Sequence, residues 1–78
     1  MSESQYQKKL IKELEAEGYY VLKLISTNKA GIPDLVALKP DDVKFIEVKG
    51  KLTKVSELQK YRIKELKKLG FNATIERE

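Results

Sequence analysis

Residues 33–49 have the sequence PDLVALKPDDVKFIEVK, and this stretch decides the fold. Two apolar runs flank the turn residues Lys39-Pro40-Asp41-Asp42, which predicts two strands joined as a hairpin. The first strand is predicted from Pro33-Asp34 through Leu38. The second is predicted over Lys44–Val48, where apolar and polar residues alternate, and Gly50 ends it.

Polar and apolar residues of the second strand face opposite sides of the predicted sheet. Residues two apart on a strand share a face, so Glu47 and Lys49 point one way while Ile46 and Val48 point into apolar packing. Asp34 stands at the mouth of the neighbouring strand. Pairing through the hairpin therefore brings Asp34 near Glu47 and collects two carboxylates and an amine in one patch.

A helix and a strand are predicted before the hairpin. The helix covers Ser4–Glu17, with Ser2 and Gln5 forming a capping box and Gly18 ending it. Its apolar residues recur at helical spacing; they are Tyr6, Leu10, Ile11 and Leu14. Aromatic and branched residues then predict a strand over Tyr19–Ile25, followed by a loop.

A second helix and a last strand are predicted after the hairpin. Ser56 and Gln59 form another capping box, and Gly70 ends the helix. Its predicted apolar face consists of Leu58, Ile63, Leu66 and Leu69. Residues 71–75 are predicted to form the final strand, and the crossover allows it to pair parallel with the third strand, Lys44–Val48. The chain is thus predicted to be a single α/β domain over residues 1–78, with the order αβββαβ.

Composition limits both the chemistry and the means of stabilising the fold. The 78 residues include neither cysteine nor histidine, which excludes disulfides, zinc fingers, Ser-His-Asp triads and thiol nucleophiles. Catalysis must use carboxylates, lysines, hydroxyls or a hard cation such as Mg²⁺. A domain this short is marginally stable, and oligomerisation is the remaining common remedy. We therefore expect a homodimer.

Charge and hydropathy restrict the partners. Sixteen basic against twelve acidic residues give a net charge of +4, which is compatible with DNA and also with an ordinary lysine-rich surface. No apolar run approaches the roughly 20 residues of a membrane span. The absence of cysteine fits an intracellular, cytoplasmic protein.

The predicted patch suits phosphodiester hydrolysis. Two carboxylates can hold a divalent cation, which neutralises phosphate charge and activates a water molecule, while a lysine stabilises developing negative charge. Each signal alone has an ordinary alternative: Glu47 and Lys49 as a solvated ion pair, and Asp34 as a turn residue after proline. Their order along the chain, between two helices, favours the site.

These motifs resemble the PD-(D/E)xK nuclease superfamily, with Pro33-Asp34 and Glu47-Val48-Lys49 in the motif positions. More narrowly, the chain is similar to the VRR-NUC family, the virus-type replication-repair nucleases. The similarity includes three further stretches: Gly31-Ile32-Pro33-Asp34-Leu35, Ser56-Glu57-Leu58-Gln59 and Glu3-Ser4-Gln5-Tyr6-Gln7. It implies a restriction-endonuclease-like fold and an endonuclease dependent on Mg²⁺ or Mn²⁺. Stand-alone members resemble Holliday junction resolvases and act as homodimers, which implies branched DNA as the substrate and a homodimer as the acting form.

The resemblance also implies roles for individual residues. Asp34 and Glu47 correspond to metal ligands, the Val48 carbonyl to a further ligand, and Lys49 to the catalytic lysine. Glu3 corresponds to the helical acid of the family, which adds a ligand directly or through water. The alternative for Glu3 is a first-turn acid that stabilises the helix dipole.

Other candidates lie around this patch. Gln59 corresponds to a family glutamine near the site, although a capping box alone also explains a glutamine there. Lys29, Lys51 and Lys54 are candidates for phosphate contact, and a plain surface role explains them equally well. Gly31 is a candidate for close approach to DNA or for a loop that needs unusual φ.

Three functions remain open from these residues. The first is an endonuclease for branched DNA. The second is a catalytically silent nuclease fold that binds DNA, and the third is an interaction protein in which Glu-x-Lys is incidental. The presence of all motif residues and the αβββαβ order favour the endonuclease.

Overall fold

The computed structural model describes residues 1–78 and has the predicted order αβββαβ. Helix α1 precedes three strands, and helix α2 connects the third strand to the fourth. The bounds are α1 Glu3–Ala16, β1 Tyr20–Lys23, β2 Leu35–Lys39, β3 Asp42–Lys49, α2 Glu57–Lys68 and β4 Asn72–Arg77. This is an α/β fold consistent with a restriction-endonuclease-like core, as the sequence predicted.

The four strands form one mixed sheet in the order β1-β2-β3-β4. β1 with β2 and β2 with β3 pair antiparallel, and the crossover through α2 makes β3 and β4 parallel. Leu35 pairs with Ile46 in the hairpin. This register places Asp34, one residue before β2, at the level of Glu47.

Local signals in the sequence set the helix ends. The capping boxes predicted at Ser2 with Gln5 and at Ser56 with Gln59 are both formed. Gly18 and Gly70 follow the helices with φ of 95° and 93°, a conformation that costs glycine little. Neither helix is long and apolar enough to cross a membrane.

The core lies between α1 and one face of the sheet. Its buried members come from the end of α1, the residue before β1, and strands β2 and β3: Leu14, Tyr19, Leu35, Ala37, Ile46 and Val48. Partly buried side chains of α1 pack against them. Ile46 and Val48 thus point into apolar packing, as predicted, and the opposite face of β3 carries Glu47 and Lys49.

Several predicted details are wrong. β3 begins at Asp42, inside the predicted turn, and β4 covers Asn72–Arg77 where a strand over 71–75 was predicted. The strand before the hairpin was predicted over Tyr19–Ile25, but β1 is shorter, because β2 begins at Leu35 opposite Lys23 and leaves Ile25 without a partner. Fewer of the residues predicted for the apolar face of α2 are buried than the sequence indicated. Ile63 is buried, but Leu69 is 72% exposed at the end of the helix.

Candidate active site

Glu47 and Lys49 lie together on the face of β3 opposite the core. Both are buried, with 2% and 7% of their surface exposed. Lys49 Nζ lies 3.5 Å from Glu47 Oε2. A charged pair is rarely buried in a chain this small without a specific reason, because taking charges out of water is unfavourable.

Asp34 joins this pair through the backbone of β3. Its Oδ2 accepts a hydrogen bond of 2.9 Å from the N–H of Val48, the residue between Glu47 and Lys49. The bond fixes the Asp34 carboxylate, just before the start of β2, beside that of Glu47. The structure therefore brings together the three residues of the predicted patch.

Gln59 has two partners at the start of α2. Its Oε1 accepts from the Ser56 N–H at 2.9 Å, which closes the capping box. Its Nε2 donates to Glu47 Oε2 at 3.2 Å. One amide side chain therefore caps the helix and contacts the buried carboxylate, so a capping role and a position beside Glu47 are compatible.

The surroundings of Glu47 disfavour ionisation of its carboxyl group. Burial, and then the Asp34 carboxylate, raise the pKa of Glu47 to about 7, although Lys49 lowers it. Glu47 Oε1 is buried and has no hydrogen-bond partner. A free carboxylate oxygen next to a second carboxylate is a donor set that a hard divalent cation fits.

The other two predicted ligands lie close by but are engaged differently. Glu3, at the start of α1, accepts a hydrogen bond of 3.1 Å from the Gly50 N–H through Oε1. No three acidic side chains come close enough together to hold a metal ion between them. Val48 has its side chain in the core and donates its N–H to Asp34.

The sequence matches the model of a known protein family. The family described as VRR-NUC domain matches residues 1–77. The chain belongs to the VRR-NUC family. It is a nuclease-type domain, which implies DNA as its substrate. A comparison with curated proteins gives no match.

The loop that follows Lys49 in this VRR-NUC domain is held by a residue that sequence reasoning missed. Arg77 Nη1 donates to the carbonyl of Gly50 at 2.9 Å and to that of Thr53 at 2.5 Å. Arg77 pairs with Lys49 across the parallel strands. The predicted crossover placed the last strand beside the third, but no local pattern gives the register that brings Arg77 here.

The loop before Asp34 is held by α2. Arg62 Nε donates to the Ala30 carbonyl at 2.9 Å. Gly31 has φ of 78°, which confirms its predicted unusual conformation, and a Cβ built there would lie 2.7 Å from Leu58 Cγ. The helix that carries Gln59 therefore also positions the chain entering Asp34.

The lysines predicted to contact DNA occupy the two loops that adjoin the candidate active site. Lys29 lies in the loop before Asp34, and Lys51 and Lys54 lie in the loop after Lys49; all three are exposed. β1 and β3 end, and β2 begins, at the same end of the sheet. Both loops therefore lie on one side of the VRR-NUC domain.

Proposed function

We propose that the chain is a metal-dependent endonuclease that hydrolyses phosphodiester bonds in DNA. The observation that carries this proposal is the buried Glu47 carboxylate, with the half-buried Asp34 carboxylate beside it and Lys49 Nζ 3.5 Å away. One oxygen of the pair is free, and the pKa of Glu47 is raised to about 7. Such perturbed carboxylates cluster at catalytic sites.

We assign the metal site to Asp34 and Glu47, with the Val48 carbonyl as a third donor and Glu3 acting directly or through water. Mg²⁺ and Mn²⁺ suit these oxygen donors. When bound, the cation supplies charge neutralisation at the phosphate and lowers the pKa of a water molecule.

The chain's own residues contribute positioning and charge. Lys49, held 3.5 Å from Glu47, presents an ammonium group that orients the attacking water or donates to the phosphate oxygen where negative charge develops. Gln59 keeps Glu47 in its orientation. Lys29, Lys51 and Lys54 bind the phosphate backbone on both sides of the cut.

We further propose branched DNA, such as a four-way junction, as the substrate and a homodimer as the acting form. Exposed apolar side chains on β1 support dimerisation, since Tyr20 and Leu22 share one face of an edge strand and are 68% and 42% exposed. Two sites related by a two-fold axis would cut a junction in pairs.

Cleavage of a labelled four-way junction, with linear duplex and a flap for comparison, tests this function. Paired cuts in the junction with Mg²⁺ or Mn²⁺, lost in EDTA, are expected. Asp34→Asn and Lys49→Met should lose cleavage yet remain folded and bind the junction, because both nearly preserve side-chain volume.

Lys60→Met is the matched control, since Lys60 is an exposed lysine whose nearest charge is Glu57. It should cut at the wild-type rate. Cleavage by Asp34→Asn at that same rate would show that the site is assigned wrongly. Tight junction binding by wild type without any cleavage would identify a silent DNA-binding module instead.

A further inference from the structure

The two most exposed large apolar side chains of the molecule lie in the loops that border the active site. Leu52 is 95% exposed and follows Lys49 by three residues; Ile25 is 87% exposed and lies in the loop that leads to Asp34. Scattered exposed apolar residues are ordinary. The unusual feature is that the two most exposed large apolar side chains, Leu52 and Ile25, both lie in loops beside the candidate active site.

Leu52 is exposed on a loop that is held in place. Gly50, two residues before Leu52, donates to Glu3 and accepts from Arg77, and Thr53, the residue after Leu52, accepts from Arg77 as well. These bonds tie both sides of the loop tip to α1 and β4. The leucine is thus presented outward by a braced turn and does not fold back onto the protein.

The charges around Leu52 point to a nucleic acid partner. Lys51 precedes it, Lys54 follows two residues later, and no acidic residue lies between Gly50 and Ser56. An apolar tip between lysines fits a DNA backbone with a base step opened beside it, because proteins that kink DNA insert leucine and similar side chains between bases.

We propose that Leu52 is a wedge that inserts between bases next to the phosphate that is cut. This proposal rests on the proposed endonuclease function and deepens it. Because the wedge is joined to Lys49 by two residues, it acts on nucleotides beside the reacting phosphate. Insertion into an intact duplex must unstack two bases, which has an energetic cost. DNA whose stacking is already interrupted, as at a branch point, is therefore the favoured substrate.

The test compares Leu52→Ala with wild type on two junctions that differ at one place. One junction is fully paired at the cleavage position, and the other has two unpaired bases there. Leu52→Ala should cut the paired junction about tenfold more slowly and the unpaired one within about twofold of wild type. Leu69→Ala is the matched control, because it removes an exposed leucine from the end of α2 and should change neither rate.

A second measurement reports the wedge without cleavage. A 2-aminopurine base is placed at the same step, and binding is followed by fluorescence with Lys49→Met present in every protein so that the DNA stays intact. The parent protein should raise the fluorescence, as unstacked 2-aminopurine is brighter, and added Leu52→Ala should abolish that rise. Added Leu69→Ala should leave it unchanged.

Several results would overturn the wedge. Equal slowing on both junctions would make Leu52 a general binding contact, and rates like those of Leu69→Ala would leave it without a role. A loss of the dimer in Leu52→Ala would make it a contact between copies. If wild type cuts no DNA, the endonuclease proposal fails, and the fluorescence result then decides the wedge separately.

Discussion

Glu47 is the residue whose environment makes the clearest pH prediction. Its pKa is raised from the ordinary 4.5 to about 7. Between these pH values the folded protein keeps a proton that the unfolded chain has lost, so the free energy of unfolding falls as pH rises and levels off above 7. We expect this loss to be about 1–3 kcal/mol in urea titrations at pH 5 and 8 in EDTA.

Glu47→Gln is the control for this dependence because an amide cannot ionise. It should be as stable as wild type at pH 5 and more stable at pH 8, and a divalent cation should stabilise wild type but not the variant. If both proteins lose the same stability between the two pH values, the burial of Glu47 is not its source.

Gln59 separates capping from catalysis at the level of one residue. Gln59→Glu keeps an acceptor for the capping box but places a further carboxylate against Glu47 Oε2, in addition to the Asp34 carboxylate. Junction cleavage should fall at least about tenfold. Gln5→Glu, at the same position of the α1 capping box, should leave cleavage unchanged; equal effects of the two substitutions would reduce Gln59 to a cap.

The sequence predicted the residues of the patch because their placement depends on near neighbours. Two-residue periodicity sets Glu47 and Lys49 on one face, and a short hairpin brings Asp34 beside them. Arg77 and Arg62 could not be found in this way. Their partners are carbonyl groups 24 or more positions away, and any exposed arginine on a strand or helix has the same local pattern.

At the scale of elements, the contact between α2 and the loop before Asp34 carries the next prediction. Gly31 has positive φ, and a Cβ there would also approach the Leu58 backbone to 3.3 Å, so a rotation of the leucine side chain cannot relieve it fully. Gly31→Ala should therefore destabilise the protein by about 2–3 kcal/mol. Cleavage should slow too, since the loop positions Asp34.

Gly70→Ala is the matched control, with φ of 93° and open space around the added Cβ. Gly70→Ala should lower the free energy of unfolding by about 1 kcal/mol, the cost of placing alanine at positive φ. It should cut DNA at the wild-type rate. Urea unfolding and junction cleavage measure both variants. Equal losses of stability would mean that the close contact with Leu58 contributes nothing.

Element ends were predictable where short-range chemistry sets them, and less so where tertiary packing does. The capping boxes and terminal glycines mark both helices correctly. Helical spacing placed Leu69 on the apolar face of α2, but the helix packs against β4 at the side of the sheet and leaves Leu69 exposed. Helical periodicity indicates which face of a helix is apolar. It does not indicate how much of that face another element covers.

The whole molecule is flat and poorly buried for its mass. Its extents are 32 × 31 × 19 Å, and 13 of 78 residues are buried. The accessible surface is 5396 Å², whereas about 4,850 Å² is typical of a compact monomer of this size. The excess includes apolar surface on β1, at the edge of the sheet, which supports burial against a second copy.

Sedimentation at micromolar concentration should therefore give twice the chain mass of 9.0 kDa. Tyr20→Lys, which puts a charge on the exposed face of β1, should give a monomer with lower stability. Tyr61→Lys is its counterpart, because Tyr61 is a similarly exposed tyrosine on α2, and it should remain dimeric. A monomeric mass for wild type would rule out the proposed dimer. If Tyr61→Lys gives a monomer and Tyr20→Lys does not, the interface lies on α2. A two-fold contact must use the same patch on both copies.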